Sequence, residues 1–271
     1  MSRNLKLTLA YDGSEFHGWQ VQPGVATVQG TLAECLKRRT GEELLPQGSG
    51  RTDAGVHALG QVASMRLRNP IPERNLVVAL NDILPPSVRV NAVETVRDDF
   101  HARHSATAKT YRYRIYRGDI CPPFLARYVF HDPYPMNEEA VMRASEHVVG
   151  EHDFTSFAAS DPDRAARLAE AVADEEAAAA EEDEPSGSGR TTNVRTIHSS
   201  QWVRTQDELI YTVRGDGFLH HMVRNLVGTF LLVGKGSLKI GDVPTILEAR
   251  NRSAAGPTAA ACGQYLFSVE Y

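Results

Sequence analysis

Gly48-Ser49-Gly50-Arg51-Thr52-Asp53-Ala54-Gly55-Val56-His57-Ala58 is the stretch on which the reading of this chain turns. It sets a guanidinium and a carboxylate two residues apart in a turn with three glycines. Glycine permits backbone conformations that other residues resist, so such a turn can bring its chain close to a ligand. A phosphate cradle of the P-loop kind would end in Gly-Lys-Ser/Thr, and this stretch does not. What remains is an acidic side chain, Asp53, on a tight loop beside the positive charge of Arg51. An ionised aspartate nucleophile would be held this way, and so would an aspartate that merely caps a turn.

Outward from this loop the pattern mixes strands and helices. Leu5 to Tyr11 alternates like a strand and ends at the turn signal Asp12-Gly13. Thr27 is placed to cap a helix running to about Arg39, with Val28, Leu32, Cys35 and Leu36 on one face and Gly41 at its end. A strand is expected through Gln61 to Leu67, then a helix opened by Pro72, then strands at Val88 to Val96 and Lys109 to Arg117. Farther on the pattern predicts a helix from about Asn137 to Val149 and strands near 194–204 and 208–214. Helices at 218–233 and 242–250 and a last strand, Tyr265 to Val269, close the chain. Strands and helices intermix without strict βαβ alternation, which favours an α+β sheet over a doubly wound one.

The 271 residues, 42% hydrophobic, suffice for a substantial core. Met-Ser-Arg-Asn leads directly into a strand pattern, so no signal peptide is expected. The longest apolar stretch, near Leu226 to Val233, is too short to span a bilayer. Cys35, Cys121 and Cys262 are scattered and unpaired in pattern, against a disulfide framework or a structural zinc site. A cytoplasmic location is the expectation. The net charge of −5 divides unevenly: residues 161–184 hold ten acids against Arg164 and Arg167, so the remainder carries +3. From Ala158 to Gly189 the chain reads as an acidic, solvated insertion, with a helix at about 163–182 and a flexible linker at 185–189.

Between His101 and Arg117 five basic residues alternate with aromatics and no acid intervenes. Period two sets Tyr111, Tyr113 and Ile115 on one face of this strand and Arg112, Arg114 and Tyr116 on the other. This is the strongest RNA-like patch in the chain, and Arg112 and Arg114 are candidate substrate contacts. His220-His221, read as helical neighbours, would point about 100° apart, and without HExxH spacing they make a poor zinc pair.

GSGRTDAGVHA resembles the catalytic motif of the TruA family of tRNA pseudouridine synthases. Further blocks resemble that family in its order: Tyr11-Asp12-Gly13 through Gly18-Trp19-Gln20, Asp99 to Arg103, Tyr111-Arg112-Tyr113, Asp153 to Phe157, and His220 to Asn225. The resemblance implies a pseudouridine synthase fold, with two similar α/β halves (1–108 and 109–271) sharing an extended, mostly antiparallel sheet with a central cleft. It implies that Asp53 is the nucleophile, that Arg51 helps displace the target nucleotide, and that Arg224 pairs with Asp53. Tyr111 would stack on the flipped uracil and is a candidate for the C5 proton transfer. The implied substrate is a uridine at the 3′ side of the anticodon stem and loop of tRNA. No cofactor or metal is implied, and a homodimer is. Gly263-Gln264 departs from the family's usual Gly-Leu. Two other readings stand beside this one: a non-catalytic RNA-binding module of the same fold, and a hydrolase using Asp53 on phosphate, which would call for a metal-binding carboxylate cluster.

Overall fold

The computed structural model describes residues 2–159 and 192–271. The acidic helix expected at 163–182 and the linker at 185–189 lie outside the described residues.

Ten described strands form one sheet. They are β1 (Arg3–Tyr11), β2 (Gln47–Gly48), β3 (His57–Leu67), β4 (Val88–Val96), β5 (Ala108–Tyr116), β6 (Phe130–His131), β7 (Gly150–Asp153), β8 (Val194–Arg204), β9 (Glu208–Gly215) and β10 (Gln264–Glu270). The main path runs β4-β1-β3-β10-β5-β9-β8-β7, with β2 beside β3 and β6 beside β5. Only β10 against β3 and β6 against β5 are parallel; the remaining pairs are antiparallel. The fold is therefore α+β with a mostly antiparallel sheet.

The helices are α1 (Val28–Thr40), α2 (Glu73–Asn81), α3 (Glu138–Glu146), α4 (Met222–Gly234) and α5 (Asp242–Ala249). Alternation along β1 buries Leu5, Leu7, Leu9 and Tyr11, and Leu32 and Leu36 of α1 belong to the same core. Thr27 caps α1 by accepting from the Gly30 N–H, and Gly41 ends it in the left-handed region at φ 79°. Both ends were readable because each is a local matter of one side chain or one backbone angle.

Three expected boundaries shift. The strand after the glycine-rich loop starts at His57, not Gln61, since its first residues pair with β10 at the far end of the chain. Helix α3 stops at Glu146, with His147 as its last cap, instead of reaching Val149. Helix α4 starts at Met222, not at 218, because His221 takes a left-handed conformation at φ 58° that no helix can include. Phe218 to His221 therefore form a turn ahead of the helix.

The C-terminal strand sits mid-sheet. Gln264 and Leu266 face Tyr113 and Tyr111 of β5, while Tyr265 and Leu266 pair in parallel with His57 and Ala58 of β3. The loop between β2 and β3, the start of α4 and the N-terminal part of β5 converge where β10 joins the two sides.

Candidate active site

The loop from Ser49 to Val56 is held almost entirely by its own polar groups and the elements around it. The Ser49 N–H donates to the Val62 carbonyl (2.7 Å) and its hydroxyl to Gln61 Oε1 (2.7 Å). Gln61 Nε2 donates to the Gly50 carbonyl (2.9 Å), and Lys109 Nζ donates to the Ser49 carbonyl (2.5 Å). Thr52 shares a hydrogen bond with the Tyr11 hydroxyl (2.8 Å), and its carbonyl accepts from the Trp19 N–H (3.0 Å). Gly18, at φ 86°, backs this contact so closely that a Cβ would stand 2.5 Å from the Thr52 carbonyl oxygen. The loop is thus preorganised with Asp53 at its tip.

His57 anchors the far side. Its Nδ1 accepts from the Gly13 N–H (3.1 Å), and its Nε2 lies 3.1 Å from the Arg127 carbonyl, which fixes the proton on Nε2. The ring stacks on Tyr265 at 4.9 Å between centroids. Burial pushes its pKa down against the neighbouring Asp12, so the neutral tautomer that these bonds require is the stable one.

The Asp53 carboxylate meets three cationic or potentially cationic groups from one segment. Arg224 Nη1 donates to Oδ2 at 3.1 Å, His221 Nε2 lies 3.3 Å from Oδ2, and His220 Nε2 lies 3.4 Å from Oδ1. Arg224 is itself fixed by donating Nε to the Ala259 carbonyl (2.7 Å). Burial would raise the Asp53 pKa, but the His220 hydrogen bond and the charges of His221 and Arg224 outweigh it and hold the carboxyl below its usual range. Of these, Arg224 is the permanent cation. Asp53 is therefore ionised throughout the neutral range.

Above the carboxylate opens a cleft of about 250 Å³, walled by Trp19, Arg51, Arg103, Lys109, Tyr111 and Phe218. Tyr111 and Phe218 meet edge to face at 4.9 Å. Burial, with Tyr11 and Asp53 adding to it, pushes the Tyr111 phenol well above its ordinary pKa, so the hydroxyl stays protonated. Lys109 is driven the other way, down to about 8, by burial and by the Arg103 and Arg195 cations. Such a cleft offers one carboxylate base or nucleophile, two aromatic walls and several cations suited to phosphate.

Of the residues singled out from the sequence, Asp53, Arg51, Tyr111 and Arg224 come together here. Arg112 and Arg114 are elsewhere. Arg112 stacks its guanidinium over Phe267 at 3.7 Å, and Arg114 makes a two-pronged ion pair with Glu208 (2.5 and 2.7 Å). Alternation sends both to the face opposite Tyr111, while the cations in the cleft, Arg103 and Lys109, come from outside that arginine row. His220 and His221 were set aside as a divergent helical pair. Lying ahead of the helix instead, they bring their rings to 3.9 Å and both Nε2 atoms to Asp53. Among the described residues, Asp53, His220 and His221 are the His/Cys/Asp/Glu group whose donor atoms all fall within 4.8 Å of one another. Lys109 was legible only as one of the five basic residues of the patch from His101 to Arg117, and Phe218 had no signal of its own, since one apolar residue is common on any turn.

Comparison with known proteins points to one family. A family profile described as tRNA pseudouridine synthase matches residues 8–105 and 144–271. A tRNA pseudouridine synthase A of Solibacter usitatus is 48% identical over 269 residues, spanning 99% of this chain and all of the relative. Proteins of the same name from Bacillus licheniformis and Moorella thermoacetica are each 41% identical, covering 98% of this chain and 98% and 99% of their own lengths.

Proposed function

The chain belongs to the tRNA pseudouridine synthase family, and on that premise we propose that Asp53 is the nucleophile with which it isomerises uridine in the anticodon arm of tRNA. The reaction breaks the C1′–N1 glycosidic bond and forms C1′–C5 in its place. N1 gains a proton and C5 loses one, so no redox change occurs. The chemistry requires a carboxylate that is ionised yet not solvated away, and Asp53 between Arg224 and the two histidines is such a group. That constellation is the observation that carries the reading.

Arg51 occupies the space that a displaced nucleotide leaves and meets phosphate at the cleft mouth. Unstacking a base costs a few kcal/mol, and stacking on an aromatic returns roughly 1–3 kcal/mol. Tyr111 supplies that surface, with Phe218 bracing it edge-on. Because its phenol is held neutral, any part Tyr111 takes in moving the C5 proton is played by a hydroxyl and not a standing phenolate. Arg103 and Lys109 serve the phosphates next to the target. Arg112 and Arg114, on the other face, fit outlying tRNA contacts at most. A homodimer that grips one tRNA across both subunits belongs to the same proposal.

The test is to map pseudouridine in an unmodified tRNA transcript after incubation with the protein and with its Asp53→Ala variant. The expected result is pseudouridine confined to the anticodon arm, formed by the parent protein and not by the variant, with tRNA affinity changed little. Modification by the variant would remove Asp53 from its role, and tRNA binding without any modified uridine would favour the RNA-binding module.

A further inference from the structure

The two histidines ahead of α4 do more than flank a carboxylate. Their Nε2 atoms stand 3.4 and 3.3 Å from the two oxygens of Asp53. Zinc bonds of about 2.0–2.1 Å at tetrahedral angles place ligand atoms about 3.3–3.4 Å apart. One edge of a zinc tetrahedron, His220 Nε2 to Oδ1, is thus already present, His221 Nε2 stands at the other oxygen, and one donor atom from each of the three residues lies within 4.8 Å of the others. A turn of the His221 ring from Oδ2 toward Oδ1 brings in the third donor and completes the other two edges.

We propose that Asp53, His220 and His221 form a zinc-binding site on the floor of the cleft, through which Zn²⁺ reversibly inhibits the enzyme in competition with tRNA. The donor set is two imidazoles and one carboxylate, the borderline-soft combination that zinc accepts. The fourth position faces the cleft, where a water would complete the shell. Loading the site does two things at once. The ion takes the Asp53 lone pair needed for attack, and it occupies the space into which the uracil must enter. The inhibitory consequence rests on Asp53 being the nucleophile; the binding itself does not.

Arg224 sets the character of the site. Its Nη1 keeps hold of Oδ2 at 3.1 Å, which leaves Oδ1 for the ion. A guanidinium beside the metal opposes binding electrostatically. The site is therefore weaker than a closed structural zinc centre and empties on addition of a chelator.

The experiment titrates the full-length protein with Co²⁺, followed by its tetrahedral absorption, and with Zn²⁺, followed by competition with a chromophoric chelator. His220→Asn/His221→Asn is compared alongside, asparagine being chosen because it tolerates the left-handed backbone of His221. A triple Cys35→Ser/Cys121→Ser/Cys262→Ser variant controls for thiolate binding. The expected result is one equivalent of ion, affinity about tenfold or more weaker in the histidine variant, and unchanged affinity in the cysteine variant. With the parent protein, saturating tRNA should expel the cobalt signal. Failure to bind one equivalent, binding that survives the histidine changes, or a cobalt signal that tRNA leaves intact would each overturn the site. Asp53→Ala retaining activity while the parent protein binds zinc would instead strike at the nucleophile assignment alone.

Discussion

At the scale of single residues, the cleft is governed by how Asp53 and Lys109 are charged. Arg224 both neutralises Asp53 and ties it to the 259 carbonyl, so Arg224→Met should leave the carboxylate ionisable but poorly aimed. Misplacing a reacting group by an ångström costs about a hundredfold in rate. A loss of kcat of that order, with tRNA affinity nearly unchanged, is the expected outcome in single-turnover assays. Lys109 carries a pKa lowered to about 8 in the folded protein, against about 10.4 in an unfolded chain. Below pH 8 both states hold the proton and the burial penalty is felt in full. Between pH 8 and 10 the unfolded chain binds more protons, so the penalty fades as pH rises. Relative to Lys109→Met, the parent protein should therefore gain about 1.4 kcal/mol of stability per pH unit across that window, measured by urea unfolding.

At the scale of elements, α4 is the part whose placement matters most. Eleven of its residues, from Met222 to Gly234, are buried, and it packs with no room to spare against the segment that carries Ala259. A Cβ on Gly228 would fall 1.7 Å from the Pro257 carbonyl oxygen. Gly228→Ala must push that segment away, and overpacking of this kind costs about 1–3 kcal/mol. The same shift moves the Ala259 carbonyl that accepts from Arg224. Lower urea midpoint and lower kcat should appear together in this variant, although Gly228 touches no part of the cleft chemistry. Unchanged kcat in a destabilised protein would show that Arg224 is held in place by other means.

At the scale of the whole molecule, β10 joins the strands that precede it to either side. It is parallel to β3 on one edge and antiparallel to β5 on the other, and Tyr265 stacks on the His57 that anchors the glycine-rich loop. Cutting the chain before Gln264 removes a central strand and opens two sheet edges. Such a protein should lose cooperative thermal unfolding by circular dichroism and be cleaved readily within the Ser49–Val56 loop. A soluble, cooperatively folding truncation would show that the two sides of the sheet hold without their shared strand.

How much of this was legible before the structure depends on the range of the interaction concerned. The cap at Thr27, the left-handed Gly41 and the alternation of Leu5, Leu7 and Leu9 are local, and the chain declares them within a few residues. The glycine-rich loop announced Asp53 for the same reason, and the alternation of Tyr111 with Arg112 was readable from strand periodicity. The start of α4 was not, because Phe218 and Leu219 are apolar for the sake of the cleft and core they border, and their spacing imitates a helix. Nor could periodicity tell that Arg112 and Arg114 would be spent on Phe267 and Glu208. Sequence by itself determined the elements, the α+β class and the residue types the chemistry needs. That Arg224, 171 residues away, meets Asp53 was expected from the family resemblance and from no local pattern; only the tertiary structure decided that two histidines converge on the same carboxylate. Convergence of this kind depends on where a turn ahead of one helix lands relative to a distant loop, and packing of the whole sheet, not any local preference, sets that distance.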